Sequence, residues 1–134
     1  MPFVVDASTT MAWCFEDEAT AETDAILDRL GQDHALVPPL WEYEVANVLL
    51  VAERRTRITE FQSTRFLALL GQLPIHVSPL PQPAAALTAI GRRHQLSACD
   101  SAYLELAARE GVALASQHNK LRHAAKASGV PLLG

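Results

Sequence analysis

Three carboxylates stand where a carboxylate is costly. Asp6 directly follows the apolar run Phe3-Val4-Val5. Glu44 lies in a helical pattern whose positions 41, 44, 48 and 51 are Trp, Glu, Val and Val, so it shares the apolar face. Its neighbours three and four places away are Leu40, Trp41, Asn47 and Val48; none is a base, so no pairing within the helix is open to it. Asp100 repeats the arrangement, with Tyr103, Leu104 and Ala107 along its own stripe. An ionised carboxylate left unpaired on a buried face costs on the order of several kcal/mol. Each acid also has a purely structural role open to it. Asp6 and Asp100 could cap helix N-termini, and Glu44 could pair with a distant arginine. Ser8 and Thr9 could cap as well as Asp6, however, and three such acids near element ends suggest one shared cause. Carboxylates brought together raise one another's pKa, and a divalent cation removes that penalty. Oxygen ligands without a Cys or His set select Mg²⁺ or Mn²⁺ over Zn²⁺. The chemistry such a site supports is attack of activated water on a phosphodiester, with the cation neutralising phosphate charge.

The elements that must position these acids follow from the apolar runs and the prolines between them. Residues 3–5, 35–37, 75–77 and 113–116 read as short buried strands, and residues 130–133 as a possible fifth. Helical patterns fill the intervals. A short helix is capped by Ser8, Thr9 or Thr10. An acid-rich helix spans 18–31, an amphipathic one 40–54, and one over 59–70 runs from Thr59 to Gly71. Helices follow over 83–94, 98–110 and 118–127. Strands alternating with helices predict an α/β fold, a parallel sheet of four or five short strands flanked on both faces, in a single domain over 1–134. Ligands in such folds sit at the carboxyl ends of the strands. Asp6 ends the first strand; Ser116 ends the fourth, and Gln117, His118 and Asn119 follow at once.

Composition removes other classes. With 49% hydrophobic and 19% charged residues the chain is not disordered, and no apolar run approaches the ~18–20 residues of a membrane span. The start Met1-Pro2-Phe3-Val4-Val5-Asp6 lacks a basic segment and is not expected to be a signal peptide. Cys14 and Cys99 fit neither a disulfide framework nor a zinc spacing, which predicts a reducing cytoplasm. Cys99 is expected to be a small core residue and Tyr103 a structural one. The net charge of −4 is unevenly placed: seven of the fifteen acids lie between Glu16 and Asp33, leaving a mildly basic body behind them. Arg54, Arg55 and Arg57 cluster after the Glu44 helix. Lys120, Arg122, His123 and Lys126 form an acid-free stretch after the fourth strand. Both clusters are candidates for phosphate contact, the second more so because it adjoins a strand end. Trp13, Phe15 and Trp41 are candidate stacking partners, with Trp41 expected in the core.

Val4-Val5-Asp6-Ala7-Ser8, Trp41-Glu42-Tyr43-Glu44-Val45-Ala46-Asn47-Val48-Leu49 and Ala98-Cys99-Asp100-Ser101-Ala102-Tyr103-Leu104, in this order and spacing, resemble the PIN-domain ribonucleases. Within that family the chain looks like the VapC-type toxins of bacterial toxin–antitoxin pairs. The resemblance implies an α/β/α sandwich and a Mg²⁺- or Mn²⁺-dependent endoribonuclease acting on single-stranded or looped RNA. It also implies a homodimer silenced by a protein antitoxin. By position, Asp6, Glu44 and Asp100 match the family's acidic ligands, and Ser8 and Asn47 its supporting polar residues. One departure stands out. The family commonly carries a further Asp in a pattern like Leu-Ala-Thr-x-Asp-x-x-Leu, where this chain reads Leu114-Ala115-Ser116-Gln117-His118-Asn119-Lys120-Leu121. His118 takes that acid's place. It is expected to cap the last helix or face water; the other roles open to it are metal ligand, phosphate donor or acid/base. Two further readings stand beside the nuclease. One is a PIN module that binds RNA or protein without cutting. The other is an aspartate-based phosphohydrolase with Asp6 as nucleophile, against which Ser8 counts where haloacid-dehalogenase phosphatases carry a second Asp.

Overall fold

A computed structural model of the chain describes residues 1–133. Four strands and seven α-helices lie among them. In chain order these are β1 (Phe3–Val5), α1 (Ala7–Ala12), α2 (Ala21–Arg29), β2 (Ala35–Val37), α3 (Leu40–Arg54), α4 (Glu60–Leu70), β3 (Ile75–Val77), α5 (Ala84–His94), α6 (Ala98–Glu110), β4 (Ala113–Ala115) and α7 (Asn119–Ala127). All strand pairs are parallel, in the order β3-β2-β1-β4. Phe3 lies opposite Ala35 on one side and Ala113 on the other. Phe3, Val4 and Val5 are fully buried, as a central parallel strand covered on both faces requires.

The strand order decides where the helices go. From β1 to β2 to β3 the chain steps one way across the sheet; from β3 to β4 it steps back past β1. Parallel crossovers are right-handed, so α1 to α4 cover one face and α5 and α6 the other. The packing agrees: α1 rests on α3, while α6 rests on α5, α7, β1 and β4. The reversal between β1 and β4 opens a crevice at their C-terminal ends, the place where open α/β sheets bind ligands. Asp6 and Ser116 are the first residues beyond those two ends.

Helix boundaries have local causes. Thr20 with Thr23, and Thr59 with Gln62, form reciprocal caps at the starts of α2 and α4. Gly111, at φ +65°, ends α6 in the left-handed region. Three expectations are corrected. The acid-rich helix expected over 18–31 is a 3₁₀ turn, Glu16–Glu18, followed by α2, because Ala19 and Thr20 are extended and the Thr20 cap sets a new start. Of a fifth strand over 130–133, only one parallel bridge forms, Leu114 to Leu132; Pro131 has no N–H to continue a ladder. Cys99 is exposed in the first turn of α6 rather than in the core.

Candidate active site

Asp6 leaves β1 and caps α1, accepting a hydrogen bond from the Thr9 backbone N–H at 3.0 Å. The structural role is therefore real, but capping accounts for only part of what surrounds this carboxylate. Its residue is 1% exposed. Ser8 Oγ lies 2.8 Å from Oδ1 and 2.9 Å from Oδ2, and Ser116 Oγ donates to Oδ2 at 2.6 Å. The two serines are themselves oriented by backbone. Ser8 Oγ accepts the Gln117 N–H at 3.0 Å, and Ser116 Oγ accepts the His118 N–H at 3.0 Å. Each serine oxygen thus spends one of its lone pairs on a backbone N–H, and its hydroxyl proton points at Asp6. These bonds tie the ends of β1 and β4 together across the crevice.

Glu44, on α3, is half-buried and accepts a hydrogen bond from Tyr103 Oη at 2.5 Å. Tyr103 is itself 1% exposed and holds this position from α6. No lysine or arginine among the described residues pairs with Glu44. Asp100 is not the cap of α6. Ser97 is, accepting the Asp100 N–H at 3.1 Å, which leaves the Asp100 carboxylate free to reach outward. Asp100 Oδ1 lies 3.4 Å from His118 Nδ1. His118 precedes α7 without making a side-chain cap bond. It faces water, as expected, and also faces Asp100, which its sequence position alone did not indicate.

Charge links Asp6, Glu44 and His118, with Asp100 acting on the last two. Burial raises the Asp6 carboxyl above its ordinary value, opposed by the hydrogen bonds from Ser116, Thr9 and Ser8. Burial also raises Glu44, opposed by Tyr103 and reinforced by the negative charges of Asp100 and Asp6. The imidazole of His118 is raised first by its contact with Asp100, and further by the charges of Asp6, Asp100 and Glu44. The Tyr103 hydroxyl is driven up by burial and by Glu44, so it stays a donor. Residues 6, 44, 100 and 118, from four separate elements, thus form one electrostatic unit.

This donor set has the chemistry of a hard-cation site: three carboxylates with neutral hydroxyl donors around them and, among the described residues, no guanidinium or ammonium paired to any of them. As placed, no group of three or more His, Cys, Asp or Glu side chains among the described residues could hold a metal ion. For the three acids to share an ion, their side chains would have to rearrange from these positions.

The other sequence candidates separate. Asn47, one turn beyond Glu44, is exposed. Arg54 and Arg55 are exposed at the end of α3, and Lys120 is exposed at the start of α7. Arg122 donates from Nη1 to the Ser116 carbonyl at 3.0 Å, bracing the strand end that carries the site. Arg57 is not a free phosphate contact. Its guanidinium binds Asp17 at 2.8 Å and Glu18 at 2.9 Å, and lies 3.9 Å from the centre of the Phe15 ring. The aromatic candidates are likewise engaged: Trp13 Nε1 donates to the Thr23 carbonyl, Trp41 Nε1 to Thr10 Oγ1, and Phe15 is buried beneath Arg57. The Tyr103 hydroxyl on Glu44 is the contact the sequence did not indicate. The Tyr103–Glu44 pair spans 59 positions, and only its apolar stripe was visible locally.

The chain is similar to two solved structures. One is PAE2754 from Pyrobaculum aerophilum, with 22% identity over 98% of this chain and 89% of that one, at a TM-score of 0.75. The other is VapBC2 from Rickettsia felis bound to a DNA fragment from their promoter, with 9% identity over 98% and 97% of the two chains, at a TM-score of 0.64. No curated protein matches the sequence. The PIN domain model matches residues 3–127, nearly the whole chain, and with the parallel sheet and the acids gathered at its switch point it shows that the chain belongs to the PIN-domain family.

Proposed function

We propose that this chain is a metal-dependent endoribonuclease and the toxin of a toxin–antitoxin pair. PIN domains are generally nucleases and typically use divalent metal ions. The observation that carries the reading is a buried Asp6 held by neutral donors alone, with Glu44 on the Tyr103 hydroxyl and Asp100 on His118, and among the described residues no lysine or arginine paired with any of the three. Asp6, Glu44 and Asp100 would hold Mg²⁺ or Mn²⁺. A divalent cation there supplies Lewis acidity toward the phosphate and toward the water that attacks it. The protein's own residues do the rest. Ser8 and Ser116 fix Asp6, and Tyr103 fixes Glu44 as a proton acceptor near the reacting water. His118, held by Asp100, offers a donor to phosphate, while Asn47 presents an amide on the same helix side as Glu44. Arg54, Arg55 and Lys120 place the RNA backbone by charge.

The antitoxin and homodimer follow from the likeness to VapC-type toxins, and the antitoxin has the VapBC2 complex in further support. Among the described residues no helix is long and apolar enough to cross a membrane. A second reading, a module that binds without cutting, draws on His118 in place of an acid and on the absence, among the described residues, of a group that could hold a metal ion as placed. Incubation of the protein with structured RNA, with Mg²⁺ or Mn²⁺ and with EDTA, beside Asp6→Asn and Asp100→Asn, separates the two. Cleavage that needs the cation and both acids supports the nuclease. Cleavage that survives EDTA or both substitutions rejects the metal mechanism, and binding without cleavage favours the inert module.

A further inference from the structure

Next to the acid unit lies a cleft of about 450 Å³ between the end of α5 and the side of α7. Its walls are His94 and Gln95 on one side and Asn119, Lys120 and His123 on the other, with Ala124 at the floor. We infer that this cleft binds one unpaired nucleotide of the RNA strand, adjacent to the cleaved bond. The inference rests on the nuclease reading above and adds a site to it.

Both walls begin where the acid unit ends. Asn119 follows His118, which contacts Asp100. Gln95 stands two residues before Ser97, the cap of the helix turn that carries Asp100. A strand with its phosphate at the acids therefore has this cleft within reach of a neighbouring residue. The charge is suited to that. No acid lines the cleft, whereas Lys120 does. In a chain of net charge −4 this is an acid-free surface with one lysine beside an acidic site. A polyanion is drawn to it and handed to the acids only where a cation offsets them.

The side chains also suit a base. Two imidazoles that could stack on a base line the cleft, and the amides of Gln95 and Asn119 offer both donors and acceptors to base edges. Gln95 holds a left-handed backbone at φ +57°, a conformation glycine adopts more cheaply, so its side chain is carried at some cost. His94 lies 3.2 Å from Ser128 Oγ by its Nε2, which steadies the ring against α7. The volume lies in the range of small-ligand clefts. Bases become available for such contacts when unpaired, so the strand is single-stranded there.

The test uses the full chain. In EDTA, an unpaired RNA hexamer and the same sequence locked in a duplex are titrated while the imidazole signals of His94 and His123 are followed by NMR. The expected result is saturable shifts of both with the unpaired hexamer and not with the duplex. In Mg²⁺ or Mn²⁺, His123→Ala with Gln95→Ala should raise KM for unpaired RNA by about tenfold and leave kcat nearly unchanged, the loss of one stacked nucleotide. Thermal melts of this exposed-site variant check that folding is intact. Shifts without cleavage under any cation would retain the cleft and remove the nuclease. Cation-dependent cleavage with unmoved imidazole signals and unchanged KM would retain the nuclease and overturn the cleft.

Discussion

Replacing Asp6 by Asn should make the metal-free protein more stable and the cation-bound protein less so. Asp6 is buried and ionisable, with three neutral donors aimed at it: Ser8 Oγ, the Thr9 N–H and Ser116 Oγ. Asn keeps the shape and the cap. Its oxygen takes the Thr9 N–H, and its NH₂ faces hydroxyls that can turn to accept. Relief of the buried charge is worth about 4–5 kcal/mol. Three charge-assisted hydrogen bonds become neutral ones, at a loss of about 1 kcal/mol each. The net gain is about 1–2 kcal/mol. For 134 residues the unfolding entropy is about 0.28 kcal/mol/K, so Tm in EDTA should rise by about 4–7 °C.

A saturating cation reverses the order. At a hundred times its Kd it adds about 2.7 kcal/mol, or about 10 °C, to the wild type and little to the variant. Titration adds a check of sign. Burial raises Asp6; burial, Asp100 and Asp6 raise Glu44. A carboxyl that titrates higher folded than unfolded favours folding when protonated, so its contribution is lost as pH rises through the folded pKa. The metal-free wild type should therefore lose stability from these groups as pH rises above the ordinary carboxylate range, and Asp6→Asn should lose less. Differential scanning calorimetry in EDTA and in Mn²⁺ across this range measures all three effects. A lower Tm for the variant in EDTA, or equal cation-induced rises in both proteins, would refute the reasoning.

Tyr103→Phe removes the one hydroxyl on Glu44 and should cost about 1 kcal/mol of stability by urea titration, because half-buried Glu44 can recruit water. Its kcat on RNA should fall about fivefold to tenfold with KM unchanged, since the lost contact orients a carboxylate rather than binding substrate. His118→Asp adds a fourth carboxylate beside Asp100 and should tighten Mn²⁺ binding in titration calorimetry; an unchanged affinity would place residue 118 outside the site. Arg57→Ala breaks the bridges to Asp17 and Glu18 and the stack on Phe15. It should lower Tm slightly, less so at high salt, and leave KM for RNA within about twofold.

The strands were legible because each is a short run, apolar but for His76 in the largely exposed β3, closed by a polar residue or proline, and their parallel order follows from the helices between them. The acids were legible because an unpaired Glu or Asp on an apolar stripe is locally inconsistent, and a sequence shows local inconsistency well. What it does not show is which distant group answers which. Arg57 read as a free base because Asp17 and Glu18 are 40 and 39 positions away. Tyr103 read as core because its hydroxyl partner lies on another helix. Cys99 read as core because the residues after it are, whereas the first turn of α6 stands out of the packed layer. Three-residue strands and cap-driven helix starts also leave boundaries to single side chains such as Thr20, below what periodicity resolves.

The pattern of partners at the acids carries a physical argument about why they persist. A lysine or arginine against Asp6 or Glu44 would relieve burial and repulsion together and would be the more stable solution for a structural carboxylate. This chain instead surrounds them with serine and tyrosine hydroxyls and one backbone N–H. Neutral donors fix orientation without cancelling charge, so the negative potential remains for a cation to answer. The serines are in turn held by the N–H groups of Gln117 and His118, just past the end of β4. A substitution that disturbs the residue 116–118 turn should therefore loosen Asp6 from across the sheet. Ser116→Ala is the simplest case, and its cation affinity should fall while the melting temperature in EDTA changes less than in Mn²⁺.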